Sequence, residues 1–160
     1  MTHDELVEFG RQWAAKQFPV VITELASWAQ ETPDVLAFGN AGSLLMECKT
    51  SRSDFRADAK KPWRRIDGRG MGSRRVYLTE KGLLRPDEIL DGWGLYETDG
   101  KRVYQTVRPQ IVDSDMVAEQ RLLISVLRRL GPMAECPVSL KLYTLKTQNT
   151  ASLTVVEQDV

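Results

Sequence analysis

Apolar residues at the start of the chain follow the period of a helix. Leu6, Phe9 and Trp13 lie on one helical face, and the capping pair Thr2 and Glu5 precedes them. We therefore predict a helix with one buried stripe that ends before the proline at position 19.

Short apolar runs after this helix predict strands. VVITEL (20–25) is rich in β-branched residues, while DVLAF and SLLMECK flank the turn GNAG (39–42) as the two arms of a hairpin. A short helix over DFRADAKK, capped by Ser51 or Ser53, comes next. A glycine-rich loop is predicted over 64–73.

The second half of the chain continues this alternation. RRVYLT (74–79), GWGLYE (92–97) and KRVYQTV (101–107) predict strands, and residues 114–130 predict an amphipathic helix with a Ser114 cap. VSLKLYTL and SLTVVE, near the end, predict either two further strands or a partner-binding tail.

The order of these elements predicts an α/β or α+β fold, in which a central mixed sheet is flanked by helices and followed by a C-terminal helix and strands. With 160 residues and 42% hydrophobic content, the chain suits a single domain over 1–160. We place its core at about 3–97 and a C-terminal extension at about 110–160. Because the sequence contains neither a secretory pattern nor a membrane-spanning run, we expect a cytoplasmic protein with no membrane partner.

The hairpin carries three charges, Asp34, Glu47 and Lys49, in an otherwise apolar stretch. If the turn is centred on the middle peptide bond of GNAG, the numbers of paired residues sum to 81 and Asp34 faces Glu47. Alternation along the strand then places Lys49 on the face of Glu47 and Cys48 on the opposite face. The pattern thus crowds two carboxylates and an ammonium group together.

Two carboxylates held this close need protonation, a cation or a nearby lysine as compensation. Mg²⁺ or Mn²⁺ would bind Asp34, Glu47 and the backbone carbonyl of Cys48, and leave its other positions to water and phosphate. The alternative is a buried ion pair with Lys49 and no catalysis. A cation between the two carboxylates would favour an enzyme, whereas a Lys49 salt bridge filling that space would favour the ion pair.

Charge and histidine content narrow the kinds of active site and ligand that the sequence allows. The single histidine, His3, disfavours Ser-His-Asp and Cys-His catalysis and HExxH zinc sites. The formal net charge is zero, yet residues 49–75 contain ten Lys or Arg and three acids, a net charge of +7. A local positive field suits a phosphate backbone, although a solvated basic face gives the same pattern.

Pro33-Asp34 and Glu47-Cys48-Lys49 resemble the signature of the PD-(D/E)xK, or restriction-endonuclease-like, nuclease superfamily. ECKTSRSDFRADAKKPW (47–63) also resembles a narrower bacterial and phage group that includes MmcB-like DNA-repair proteins, in which a similar SxxDFxxDxKxP segment follows the ExK. The resemblance implies the αβββαβ core of the superfamily over about residues 3–79.

The resemblance further implies a Mg²⁺-dependent endodeoxyribonuclease of DNA repair, recombination or phage DNA processing, in a bacterial cell or a phage-infected host. Asp34 and Glu47 would bind the metal ion, and Lys49 would orient the attacking water or stabilise charge on the phosphate. Many members add an acid from an upstream element; Glu24 is our choice here, with Glu5 and Glu8 as rivals.

A further group of residues follows the ExK and is predicted to contact double-stranded, single-stranded or branched DNA. Basic side chains bind backbone phosphates with little sequence information, and a tryptophan either stacks on an unpaired base or simply packs. The predicted nucleic-acid-binding residues are Ser51, Arg52, Lys60, Lys61, Trp63, Arg64, Arg65 and Arg69.

Two other functions stay open at this point. One is a catalytically inactive nucleic-acid-binding module of the same fold, and the other is a phage-type protein-interaction factor that binds a host protein through residues 110–160. The predicted helix over 114–130 would either form a homodimer interface or pack on the core of its own chain.

Overall fold

A computed structural model of the protein describes residues 1–25, 31–65 and 69–130. Its elements, in chain order, are α1 (His3–Ala14), β1 (Val20–Thr23), β2 (Val35–Gly39), β3 (Gly42–Lys49), α2 (Arg52–Asp58), α3 (Pro62–Arg65), β4 (Arg74–Glu80), a 3₁₀ turn (Pro86–Glu88), β5 (Gly94–Thr98), β6 (Val103–Val107) and α4 (Met116–Leu130).

The six strands form one mixed sheet in the order in which they occur along the chain. β1, β2 and β3 are antiparallel neighbours, β3, β4 and β5 run parallel to one another, and β6 returns antiparallel to β5. The parallel step from β3 to β4 needs a crossover, which α2 and α3 provide. The fold is therefore α+β, with helices flanking a mixed sheet, as the sequence predicted.

The register of the β2–β3 hairpin is the predicted one. Val35 pairs with Met46 and Gly39 pairs with Gly42, so the residue numbers of each pair sum to 81 and the loop contains two residues. Because side chains alternate across a strand, this register decides which charges share a face of the sheet.

The sheet separates two apolar layers. On one face, α1 packs Leu6 and Val7 against Met46 and Cys48, and on the other face Phe55 of α2 contacts the core around Leu45. α1 approaches the sheet most closely at Gly10, where an added Cβ would lie 2.6 Å from the sulfur of Met46. The face opposite α1 carries the odd-numbered residues of β3, including Glu47 and Lys49.

Several element boundaries differ from those predicted. α1 ends before Pro19, at Ala14, as predicted, but a short helix, α3, forms where we expected the start of a glycine-rich loop. The Ser114 cap is wrong, because the N–H of Ala118 donates to Oδ1 of Asp115 (2.9 Å), which caps α4. The predicted strands in 138–157 lie outside the described residues.

The last described helix, α4, has apolar residues on two faces. Leu122 is buried and Val126 packs against the core, whereas Val117, Ile124 and Leu127 are exposed to about half of their full surface. Packing within the chain therefore accounts for one face of the predicted interface helix. No helix among residues 1–25, 31–65 and 69–130 combines the length and apolar character that a bilayer crossing requires.

Candidate functional site

The three charges of the hairpin lie together at the end of β3. The side chain of Asp34, just before β2, accepts a hydrogen bond from the backbone N–H of Cys48 through Oδ2 (2.7 Å). Lys49 Nζ lies 3.2 Å from Glu47 Oε2 and 3.9 Å from Asp34 Oδ2. Both acids and the lysine therefore face the same small volume, as the register requires.

Burial distinguishes these three side chains. Glu47 and Lys49 are almost completely enclosed, while Asp34 keeps 16% of its side-chain surface exposed. Asp34 is thus the member of the set that solvent can approach. The direct contact between Lys49 and Glu47 is the arrangement that the ion-pair alternative predicts.

Burial and crowding shift the proton affinities of these groups. Loss of hydration, reinforced by the charge of Asp34, raises the pKa of Glu47 to about 8. Loss of hydration also raises the pKa of Asp34, against the opposing charge of Lys49. Burial lowers the pKa of Lys49, but Glu47, Asp58 and Asp34 together raise it further, so its net pKa is above the ordinary value and the ammonium stays protonated.

A second set of charges, which the sequence analysis did not predict as part of the site, adjoins the first. Asp58 of α2 lies 3.8 Å from Lys49 Nζ through Oδ1 and accepts a hydrogen bond from the Tyr77 hydroxyl (3.2 Å). Arg64 of α3 donates to Asp58 from Nε (2.8 Å) and pairs with Glu31 through Nη1. Together they enclose Glu47 with charged groups.

The site leaves one carboxylate oxygen incompletely satisfied. Glu47 Oε1 lies 2.9 Å from Arg64 Nη2, but the donor is not aligned with it, and this buried oxygen accepts no hydrogen bond within the described part of the chain. Four carboxylates, Glu31, Asp34, Glu47 and Asp58, face two buried cations, Lys49 and Arg64, and the partly exposed Lys61, which contacts Asp58. An orphaned carboxylate oxygen and an excess of acids both fit a divalent cation.

The ligand set predicted from the sequence involves only two side chains. Over the described ranges, no group of three His, Cys, Asp or Glu side chains is arranged to hold a metal ion. Asp34, Glu47 and the carbonyl of Cys48 are the residues that would bind Mg²⁺ or Mn²⁺. The thiol of Cys48 points into the layer beneath α1, and burial raises its pKa well above the ordinary value, so the side chain offers no ligand.

His3 and Glu24 lie on the exposed side of Asp34. His3 Nε2 is 3.5 Å from Asp34 Oδ1 and 3.8 Å from Glu24 Oε1, so the imidazole stands between the two acids. The rival acids are engaged elsewhere: Glu5 caps the Thr2 N–H and Glu8 pairs with Arg11. Among the three upstream acids, Glu24 is therefore the one whose contacts lead to Asp34.

The predicted nucleic-acid-binding residues have different surroundings. Lys60, Arg65 and Arg69 are exposed, and Lys61 extends from solvent to within 2.7 Å of Asp58 Oδ1. For Arg64 the prediction is wrong, because only 1% of its side chain is exposed and carboxylates surround it. Because Arg64 is buried, the positive charge that the basic segment 49–75 presents to solvent is smaller than its formal net charge of +7.

The remaining three have structural contacts. Ser51 caps α2 by accepting from the Asp54 N–H (3.2 Å), and Arg52 pairs with Glu88. Trp63 is half-buried beneath Lys61, whose Nζ lies 6.0 Å from the ring centroid. These contacts explain Ser51 and Arg52 without reference to a ligand, whereas the buried Nε1 of Trp63 has no hydrogen-bond partner in the described part of the chain.

The site residues that the sequence analysis missed differ in how clearly the sequence indicated them. Phe55, Asp58 and Ala59 follow helical spacing and are buried together, so Asp58 was recognisable as an acid on an apolar face. Glu31 and Arg64 carry no comparable signal, because they are 33 positions apart and meet only in the folded chain.

Comparison with known proteins gives a structural neighbour. Neither family models nor curated proteins match this chain. The solved structure of SPO1766, a protein of unknown function from Silicibacter pomeroyi, is 23% identical in sequence and superposes with a TM-score of 0.57. The similarity covers 81% of this chain and 89% of that chain. At this level of identity, the comparison shows that the two chains share a fold.

Proposed function

We propose that the protein is a metal-dependent nuclease of the restriction-endonuclease-like type that hydrolyses DNA phosphodiester bonds. The observation that supports it best is the convergence of Asp34, Glu47 and Lys49 at the end of β3, where the exposed Lys61 contacts Asp58 next to Lys49. DNA repair, recombination and phage DNA processing are the settings in which such an activity would act.

Charge balance favours a cation at this site. Lys49, Arg64 and Lys61 supply fewer positive charges than the four carboxylates supply negative ones, and burial, reinforced by the charge of Asp34, raises the pKa of Glu47. Because of its raised pKa, Glu47 retains a proton at neutral pH in the absence of a metal ion. A divalent ion held by Asp34 and Glu47 would replace that proton and bring positive charge to the solvent-facing side of Asp34. When bound, the ion would stabilise charge that develops on the phosphate.

Lys49 acts as a cation in this proposal. Because its pKa is above the ordinary value, it cannot accept a proton from water at neutral pH. Its ammonium group would instead orient the attacking water and stabilise the negative oxygens of the phosphate. Water adds to phosphorus and gives up a proton to solvent, the bond from phosphorus to one sugar oxygen breaks, and the departing oxygen takes up a proton from solvent.

The direct test is cleavage of plasmid, single-stranded and branched DNA with Mg²⁺ or Mn²⁺ and, separately, with EDTA. We expect ion-dependent cleavage that is lost in Asp34→Asn and Glu47→Gln, while Arg85→Ala, at an exposed position on the 3₁₀ turn, cleaves like the wild type. DNA binding without cleavage of any substrate would reject the enzyme.

A second candidate function is favoured by one specific contact. The direct ion pair between Lys49 and Glu47 (3.2 Å) neutralises part of the site without a metal ion, as a catalytically inactive DNA-binding module would require. Such a module would bind DNA with the same affinity in Mg²⁺ and in EDTA, and Lys49→Ala would leave that affinity unchanged.

A further inference from the structure

The guanidinium group of Arg64 is surrounded by acids from three separate segments of the chain. Nη1 pairs with Glu31, Nη2 lies 2.9 Å from Glu47 Oε1, and Nε donates to Asp58 Oδ2 at 2.8 Å. Nη2 also donates to Asp58 Oδ1 at 3.1 Å. All three acids are buried, so carboxylates surround this guanidinium as they would surround a bound metal ion.

The surrounding structure fixes Arg64 in this position. Its backbone carbonyl accepts a hydrogen bond from Trp93 Nε1 (3.2 Å), and its guanidinium lies 5.4 Å from the centroid of the Trp93 ring. Trp93 in turn stacks on Tyr77 with centroids 4.5 Å apart, and the Tyr77 hydroxyl donates to Asp58. Arg64 is therefore held by Trp93 through both its backbone and its guanidinium, in addition to the three acids.

Three converging buried carboxylates need compensation, either by positive charge or by protonation. Divalent cations meet that requirement in many proteins, because carboxylate oxygens are their preferred ligands. Here a guanidinium with fixed geometry meets it, and one of its contacts is to Glu47, a proposed metal ligand. The space between Glu31, Glu47 and Asp58 therefore already contains a cation.

We infer that Arg64 takes the place of a second divalent cation, so that the site binds a single metal ion at Asp34 and Glu47. This inference rests on the proposed function, because it presupposes a first ion. Arg64 is a positioning residue here: it contacts Glu47 through the oxygen that Lys49 does not contact, and it donates to both oxygens of Asp58. Because Arg64 already supplies a positive charge to these acids, the site needs only one metal ion.

The test counts Mn²⁺ ions bound per full-length chain, by loss of the free-ion signal in electron paramagnetic resonance. The wild type should bind one ion. Arg64→Ala removes the internal cation and should bind two, while Arg64→Lys keeps a positive charge and should bind one. Arg85→Ala, an exposed arginine whose partners are Asp87 and Glu88, is the matched control and should also bind one.

The outcomes separate this inference from the proposed function. Two ions on the wild type would overturn the inference and leave the nuclease proposal intact, whereas no ion would overturn both. One ion on both the wild type and a folded Arg64→Ala would also overturn it. If Arg64→Ala does not fold in EDTA, Mn²⁺ should restore its cooperative melting; the wild-type count still decides the number of ions.

Discussion

At the scale of single residues, the structure restricts Lys49 to the role of a cation. It is buried against three carboxylates that keep it charged. We predict that Lys49→Met lowers the rate of DNA cleavage about 100-fold or more, as loss of one transition-state donor does elsewhere. The readout is kcat on a cleaved substrate at saturating metal ion.

Lys49→Arg is the control for this substitution, since it keeps the positive charge. DNA affinity, measured separately, should be unchanged in Lys49→Met because the side chain is only 6% exposed. A variant that binds DNA poorly but cleaves normally once saturated would contradict the assigned role.

The raised pKa of Glu47 gives a prediction about pH. A carboxyl group whose pKa is higher in the folded chain than in the unfolded chain stabilises the fold fully below its unfolded pKa, which for Glu is about 4.3. That contribution is lost as the pH rises through the folded value of about 8. In EDTA, the melting temperature should therefore fall between about pH 5 and pH 8 through this group.

Glu47→Gln isolates the effect, because the amide does not titrate. The difference in melting temperature between the wild type and this variant should change with pH over that interval. Mg²⁺ should stabilise the wild type more at pH 8 than at pH 5, since the ion competes with the proton on Glu47. A difference that is constant across the interval would show that Glu47 is ionised throughout.

At the scale of elements, α2 supplies Asp58 to the site and depends on one cap. Ser51 accepts the Asp54 N–H, while the adjacent Ser53 is exposed and contacts only the Ser51 hydroxyl among the contacts of the described chain. We predict that Ser51→Ala lowers the free energy of unfolding by about 1 kcal/mol. Chemical denaturation measures it, and Ser53→Ala is the matched control.

If Ser51 serves only as a cap, Ser51→Ala and Ser53→Ala should bind DNA equally well under conditions where both are folded. A loss of affinity confined to Ser51→Ala would instead support the contact with DNA that its sequence position suggested.

The register of the β2–β3 hairpin could be predicted from the sequence, whereas the ion pairs around Arg64 could not. The register followed from the two-residue period and a short loop, both of which are local, and it placed Asp34, Glu47 and Lys49 correctly. Arg64 was misassigned because a run of basic residues resembles a solvated surface. Its burial depends on Glu31 and Asp58, which only the packing of α2 and α3 on the sheet brings together.

At the scale of the whole molecule, the structure separates buried basic residues from solvated ones. Lys49, Arg64 and Arg75 are all buried, so they contribute little to long-range attraction of DNA. Lys60, Arg65 and Arg69 are exposed within the same basic segment. The surface that attracts a phosphate backbone should therefore be defined by these three and their exposed neighbours.

This separation predicts the salt dependence of DNA binding. Each phosphate contact contributes about 0.9 to the slope of log affinity against log salt for duplex DNA, because it releases condensed counterions. Lys60→Ala, Arg65→Ala and Arg69→Ala should each make the slope shallower by about this amount. Fluorescence anisotropy across a salt series measures it, with Arg85→Ala as the exposed control. If the control changes the slope as much as the three variants do, the attraction is spread over the whole surface rather than concentrated on these three residues.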